Sequence, residues 1–449
     1  MKNIKIYIAL LTLGLCSGCE KFLEKKADMK MAIPSTLEDA DALMNNYSIL
    51  NQGYPYIGEL CSDNFMLTYA DWNALAILED RELFIWDKTV APPSTQWFFP
   101  YRVVYNANQV LQVVGGLAVS REALHLKGTA LFYRAYAHLS LSELFVDIPR
   151  KDGSNALQEA IPYRMTPNIE ENTGRSKLGK FFELLLSDLI TAKDILPEYT
   201  NVPSRPTRCA ADALLARLYL YLQDYPLARY HANEALKSKS SLVDFNTLNA
   251  SSNTPILRFN DEVIFQAIST GSATYTRTRW KVDQDFIDTF DANDLRRKIF
   301  FIENADGTFS YKGNYDGQLN QAPFSGLAVD EILLIRAESN VRINKIDEAL
   351  EDINTLLLSR WKKDEYNPIV ERDPSELLQI VLLERRKELI MRQRRWPDLK
   401  RLNMDVATAQ TLSRRWEDKN YELKPGDISY VQLIPLSVIN NSDLEQTKR

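Results

Sequence analysis

The chain has 449 residues, of which 45% are hydrophobic and 25% charged, and a net charge of −6. That composition is globular with a sizeable core. Its acidic balance argues against nucleic acid as the partner, and four cysteines are too few for a disulfide framework.

The first residues set the compartment. Lys2 and Lys5 form a short basic region, Ile6 to Leu15 is a nearly unbroken apolar run, and Ser17, Gly18 and Cys19 come next. This order predicts a signal peptide over residues 1–18, with an apolar run too short to span a bilayer. The small-small-cysteine ending matches a bacterial lipobox, with Cys16 where leucine usually stands and Leu15 one place earlier. Cleavage before Cys19 and acylation of its thiol are expected; the alternative is an ordinary secretory signal with an incidental cysteine. Stable anchoring takes more than one acyl chain, which a diacylated or triacylated Cys19 supplies. No long apolar run occurs after it. Cys61 and Cys209 then remain, read as two buried free thiols, although an oxidising compartment would also allow them to pair.

Helix signals dominate the rest of the chain. Ser35-Thr36-Leu37-Glu38 reads as a capping box opening a helix toward Tyr47. Trp97, Tyr101, Val104, Asn108 and Leu111 recur at helical spacing, and Ser120 is placed to cap a helix running to Phe145. Another helix fits Ser176 to Leu196 and stops at Pro197. Asp373-Pro374-Ser375-Glu376 is a helix start, predicting a helix that ends before Pro397.

Two segments repeat one unit. Ala216 and Ala228 in the first, and Ala337 and Ala349 in the second, share one spacing, with polar turns at Gln223-Asp224 and Asn344-Lys345. Small residues at a helix crossing and large ones around it describe a tetratricopeptide-like hairpin, which buries its faces only by stacking on others. The helices near Trp97 to Phe145 and Ser176 to Leu196 are candidates for further units.

The fold class expected is therefore mostly α, with long loop-rich excursions and a few short strands, one of them near Val263-Ile264-Phe265. The excursions, Gln52 to Pro93 and Lys239 to Gln321, carry aromatic residues among polar ones. Long loops on a rigid scaffold are where binding residues concentrate. A sugar ring stacks an apolar face on Trp or Tyr while amides and carboxylates bond its hydroxyls. Tyr69, Asp71, Trp72 and Asn73 supply this mix on the first excursion. Tyr275, Arg277, Arg279, Trp280 and Asp283, with Tyr311 and Tyr315, supply it on the second. The alternative is that each ring packs beneath its own loop.

Catalytic patterns are weak. His125, His138 and His231 have no metal-ligand spacing, and neither a Gly-x-Ser-x-Gly elbow nor a glycine-rich phosphate loop is present. No metal or cofactor is expected. The basic run from Arg385 to Arg401 alternates with Glu384, Glu388 and Asp398, which favours ion pairs within a packed helix over a surface for nucleic acid or anionic lipid.

Five segments in order resemble the SusD/RagB family of outer-membrane lipoproteins of the Bacteroidetes. They are Phe22-Leu23-Glu24 after the cysteine; Tyr105-Asn106-Ala107-Asn108; Gly128 to Ala135 closing at Phe145 to Pro149, with Val146 in place of a glycine; Glu384 to Leu389 with Arg395 to Arg401; and Leu433 to Leu436, then Asn440 and Gln446. The resemblance implies one SusD-like domain over residues 19–449, with a helical part at 19–238, a ligand-face excursion at 239–321 and a C-terminal part at 322–449. It implies four tetratricopeptide-like units, a lipid tether through Cys19 on the outer leaflet of the outer membrane, and a SusC-like TonB-dependent transporter as partner. It also implies a binding protein rather than an enzyme. The ligand expected is a glycan; a peptide handled by the same machinery and a surface glycoside hydrolase are the alternatives.

Overall fold

A computed structural model describes residues 34–202, 204–319, 322–416 and 419–449. Cys19, the leader before it and Phe22-Leu23-Glu24 lie outside the described residues. The chain is mostly helical. Short helices α1 (Leu37–Met44), α2 (Tyr47–Leu50), α3 (Ile57–Cys61), α4 (Tyr69–Asn73) and α5 (Leu78–Phe84) precede the scaffold. The scaffold begins with α6 (Thr95–Gly115), α7 (Arg121–Phe145), α8 (Leu178–Ile195), α9 (Arg208–Tyr221) and α10 (Tyr225–Ser238). After the second excursion, with α11 (Gln284–Ile287) and α12 (Arg296–Phe300), come α13 (Val329–Arg342), α14 (Ile346–Leu358), α15 (Pro374–Glu388), α16 (Arg395–Leu402) and α17 (Leu436–Asn440). No helix among the described residues is long and apolar enough to cross a membrane.

The predicted helices form, with two boundary corrections. The first capping box uses Thr36 and Asp39 rather than Ser35 and Glu38: Thr36 accepts from the Asp39 amide while the Asp39 carboxylate accepts from the Thr36 amide. The helix then ends at Met44, short of Tyr47, and α2 restarts on the Asn46 cap. Asp373 caps α15 as expected, accepting from the Ser375 and Glu376 amides. That helix stops at Glu388 rather than just before Pro397, because Met391 and Gln393 adopt positive φ. Pro397 instead falls in the first turn of α16, where a missing N–H costs nothing.

The two repeat units are antiparallel hairpins, α9–α10 and α13–α14, closed in the same way. Gln223 and Asn344 both have φ of 60°, and in each turn the next residue's amide reaches back five places, Asp224 to Tyr219 and Lys345 to Asn340, at 2.8 Å. All four spacing alanines are fully buried. Consecutive helices from α6 to α10 pack as neighbours, and α10 then packs on α13. The result is a stacked tetratricopeptide-like array.

Residues of the five segments that carry the resemblance hold this array together. Gly128 lies where α7 meets the end of α8; a Cβ there would sit 3.0 Å from an Ile195 side-chain carbon. Arg134, further along the same helix, makes a bidentate pair with Asp188 at 2.6 and 2.7 Å and donates to Asn108 at 2.8 Å. At the other end of the chain, the Gln446 amide pairs with both backbone groups of Ile434 at 2.8 Å. The basic run is consumed internally, as expected. Arg385 and Arg401 share Asp398, Arg401 also takes Glu338, and Arg394 takes Glu143, all buried. His138 is buried and stacks on Tyr163 at 3.9 Å, and His231 pairs with Asp212. Cys61 and Cys209 are both buried and not disulfide-bonded, and burial pushes each thiol up to about 12.

Candidate ligand-binding site

The two excursions meet in a small sheet. Strands β1 (Phe65–Met66), β3 (Lys281–Val282), β5 (Phe309–Tyr311) and β4 (Phe301–Glu303) pair antiparallel in the order β1-β3-β5-β4. Phe65 faces Val282 and Lys281 faces Ser310, so the chain around Tyr69–Asn73 is brought against the chain around Tyr275–Trp280 and Tyr311. The predicted strand forms as β2 (Val263–Phe265), paired with β6 (Leu327–Ala328). Helix α4 starts beside β1. Thr68 caps it, accepting from the Asp71 amide and donating to the Asp71 carboxylate at 2.7 Å.

This meeting buries rings expected to be exposed. Trp280 is 3% exposed and stacks on Phe65 at 5.0 Å, with Tyr275 at 5.1 Å and Phe84 at 5.9 Å. Tyr275 is buried and donates to the Tyr56 carbonyl, and burial holds its hydroxyl well above the usual tyrosine range. Tyr315 is buried under the Arg392 guanidinium, 3.9 Å from its ring, and donates to Glu262. Trp72 is 7% exposed, its indole N–H donating to the Arg81 carbonyl at 2.7 Å. The excursions therefore act as a packed layer, and removing each large ring from water outweighs displaying it. Tyr311 is half-buried and donates to the Gly313 carbonyl. Arg279 and Asp283 are half-buried as well, and Arg277 holds Asn253 at 2.8 Å.

Among the described residues, the aromatic layer reaches solvent beside α4. From Trp280 the contacts run through Phe84 to Trp416 at 6.0 Å, from Trp416 to Trp72 at 5.1 Å, and from Trp72 to Tyr69 at 5.6 Å. Tyr69 is 43% exposed, Trp416 and Tyr421 are half-buried, and Asn73 is exposed beside them. Trp416 and Tyr421 belong to a hairpin of β7 (Leu412–Trp416) and β8 (Lys419–Leu423), in which Trp416 pairs with Lys419. The Trp416 indole N–H donates to the Leu67 carbonyl at 2.8 Å, fixing the hairpin against the first excursion. Lys419 lies 4.8 Å over the Tyr69 ring and donates to its hydroxyl at 3.3 Å. Lys419 thus lies over the cluster of Tyr69, Trp416 and Tyr421, with Asn73 one helical turn beyond Tyr69 in α4 and Asp71 held at the start of that helix by Thr68. That arrangement offers ring faces for stacking and amide, ammonium and carboxylate groups for hydroxyls.

The hairpin did not figure among the sequence-derived site residues. Its signal was the alternation of Leu412, Arg414 and Trp416 on one face, interrupted by an arginine in a core position. Arg414 is buried, lies 3.2 Å from the centre of the Phe84 ring and donates to the Leu60 and Ser62 carbonyls at 3.0 and 2.7 Å. It fastens β7 to the end of α3. Glu59 in that helix is fully buried with the Asn64 amide at 3.0 Å, and burial pushes its carboxyl up to about 7. Its folded value is above the ordinary 4.5, so its contribution is fully present below pH 4.5 and lost as pH rises through 7. Glu59→Gln should therefore raise the melting temperature at pH 8 and not at pH 4.5; equal shifts at both would contradict the assignment.

Two family models match this chain. One, described as starch-binding and associating with the outer membrane, covers residues 21–220, and the SusD family model covers residues 284–434. The chain belongs to the SusD family. Among its relatives, SusD-like protein P2 of Formosa agariphila is 25% identical over 374 residues, 69% of this chain and 72% of that protein. SusD-like protein P25 of the same organism is 27% identical over half of this chain and 44% of its own length. A crystal structure described as a putative sugar binding protein from Bacteroides vulgatus superposes with a TM-score of 0.75 at 19% identity, covering 92% of this chain and 98% of that one. A SusD superfamily protein from Bacteroides thetaiotaomicron gives 0.72, also at 19% identity, with 92% and 100% covered. These superpositions establish that the mostly helical array with loop excursions is the SusD fold.

Proposed function

We propose that this SusD family member is a lipid-anchored, cell-surface binding protein that captures a glycan on the Tyr69–Trp416–Tyr421 face. It delivers that glycan to a SusC-like TonB-dependent transporter in the outer membrane. The observation that carries the reading is the aromatic layer, which is buried for most of its length and, among the described residues, opens to solvent where α4 meets the β7–β8 hairpin. Rings supported from behind by other rings present a rigid face, so little side-chain entropy is lost when a sugar stacks on it. The family description, which names starch binding and the outer membrane, supports the ligand class and the location. Acylated Cys19 is the anchor in this reading. The role is binding without turnover, and the product of capture is an intact ligand.

The test has two arms. The protein, tagged at its C-terminus and solubilised from outer membranes, should copurify with a TonB-dependent barrel, and exchanging Cys19 for Ala should release it from the membrane. Titrated with a panel of polysaccharides, oligosaccharides and peptides, it should bind one glycan class saturably and leave the glycan uncut. Heat from peptides alone would move the assignment to a peptide-uptake protein, and new reducing ends would make it a hydrolase.

A further inference from the structure

A cavity of about 940 Å³ lies away from the aromatic face and shares no residue with it. It sits where the ends of α7 and α16 meet the segment 147–177 and the C-terminal segment 426–448. Its lining is polar, and several of its groups are buried without partners.

Lys400 is the deepest cation. It is 6% exposed, and two of its three N–H groups donate to carbonyls at the end of α7, Glu143 at 3.1 Å and Val146 at 2.7 Å. The third is left for the cavity. The Tyr430 side chain, 5% exposed, also lines it; its oxygen faces the Asn403 amide, and its O–H has no acceptor among the described residues. The Thr447 hydroxyl likewise has no acceptor among the described residues. Buried donors without acceptors are rare in folded proteins and point to a missing oxygen ligand.

The charges around Lys400 define that ligand further. On its own helix, Arg401 is engaged by Glu338 and Asp398. From α7, the Glu143 carboxylate is taken by Arg394, and beyond the helix Asp147 accepts from the Ile148 amide. On α9 the Tyr221 ring lies 5.9 Å from the Lys400 nitrogen. In the 150–177 wall, Glu159 is shared by Arg175 and Lys177 at 3.7 and 3.8 Å. In the C-terminal wall, Asp427 is paired with Lys88. Among the described residues, Arg150 and Lys448 have no carboxylate partner, so the cavity carries an excess of positive charge. Its remaining carboxylates would repel a doubly charged anion, but they would accept hydrogen bonds from hydroxyls. One negative charge on a polyhydroxylated body satisfies both walls.

We propose that this cavity binds an acidic sugar of the uronic-acid class, its carboxylate at Lys400, Tyr430 and Thr447 and its hydroxyls against Asp147 and Glu159. The site is separate from the glycan face. It stands or falls on its own, whatever the main ligand proves to be.

Burial pulls the Lys400 ammonium down to about 8, since no carboxylate of the protein bonds it. Burial pushes Tyr430 up to about 12, so its hydroxyl keeps its proton where Lys400 loses one. Anion binding should therefore weaken as pH rises through 8. The experiment is calorimetric titration of the detergent-purified protein with galacturonate and glucuronate, with galactose and glucose as neutral counterparts and inorganic sulfate as a compact dianion. At pH 7 a uronate should bind at least tenfold more tightly than its neutral counterpart and than sulfate. At pH 9.5 its affinity should fall by about tenfold or more. Tyr430→Phe should lose about tenfold with an unchanged melting temperature, the loss expected when one hydrogen bond to a charged group is removed. Lys400→Met should abolish binding; if that variant melts lower, Tyr430→Phe alone carries the residue-level test. Equal affinity for uronates and neutral sugars, tighter binding of sulfate, or full uronate affinity in Tyr430→Phe would each overturn the proposal.

Discussion

Trp280→Ala is expected to destabilise the protein by about 3–5 kcal/mol, the range for removing a buried aromatic side chain. Its ring touches Phe65 and Phe84 from the first excursion and Tyr275 from the second. Truncating it would leave a cavity at the seam between the two excursions. The loss would appear in urea unfolding as a lower midpoint with the slope unchanged. A cost below about 1 kcal/mol would mean that the seam collapses around the vacancy, and that the excursions are not held by ring packing. The ring supports the exposed face through Phe84 and Trp416, so any effect of this variant on ligand affinity has to be read at temperatures where it is fully folded.

Glu388→Ala should cost a similar amount, about 3–5 kcal/mol, for an electrostatic reason. Glu388 is fully buried and accepts from Arg296 at 3.1 Å and Arg360 at 2.8 Å. Arg360 continues to Glu262 at 2.8 Å, and Arg296 to Asp294 and Glu384. The network thus ties α15 to three points of the second excursion and its borders. Removing the shared carboxylate leaves Arg360 with Glu262 alone and takes one of three carboxylates from Arg296, so buried guanidinium N–H groups lose their acceptor, which is far more costly than removing a surface partner. Chemical denaturation of the single variant measures it, and a change under about 1 kcal/mol would show that the remaining carboxylates suffice.

The features behind these two variants differ in how legible they were. The repeat units were readable because their period survives in the sequence. Ala216 and Ala228 match Ala337 and Ala349, and even the positive φ at Gln223 and Asn344 falls at matching positions. The buried ion pairs were readable as a class, because acidic residues interrupt the basic run at helical spacing, but their partners were not. Asp63, Glu143 and Glu338 lie far away in sequence. Burial of individual rings was not readable at all. Trp72 and Trp280 look the same in sequence as exposed tryptophans; what buries them is pairing between Phe65 and Val282, distant segments of the chain. The same pairing explains why Tyr69, just past Phe65, is left at the surface. Trp416 was missed because a strand with a buried arginine between its apolar positions does not read as amphipathic. Arg414 is tolerated there because backbone carbonyls of α3 and the Phe84 ring face receive it.

Stacking of a glycan on the solvent-facing end of the aromatic layer is the central expectation for this protein, and Tyr69 tests it most directly. Its ring is the most exposed of the cluster, so Tyr69→Ala leaves the core intact, whereas Trp416→Ala also removes support from Phe84. With whichever glycan saturates the wild-type protein, calorimetric titration of Tyr69→Ala should show at least tenfold weaker binding with an unchanged melting temperature, in line with the loss of one stacked ring. Wild-type affinity in a fully folded Tyr69→Ala protein would contradict stacking at this face and place the ligand elsewhere on the molecule.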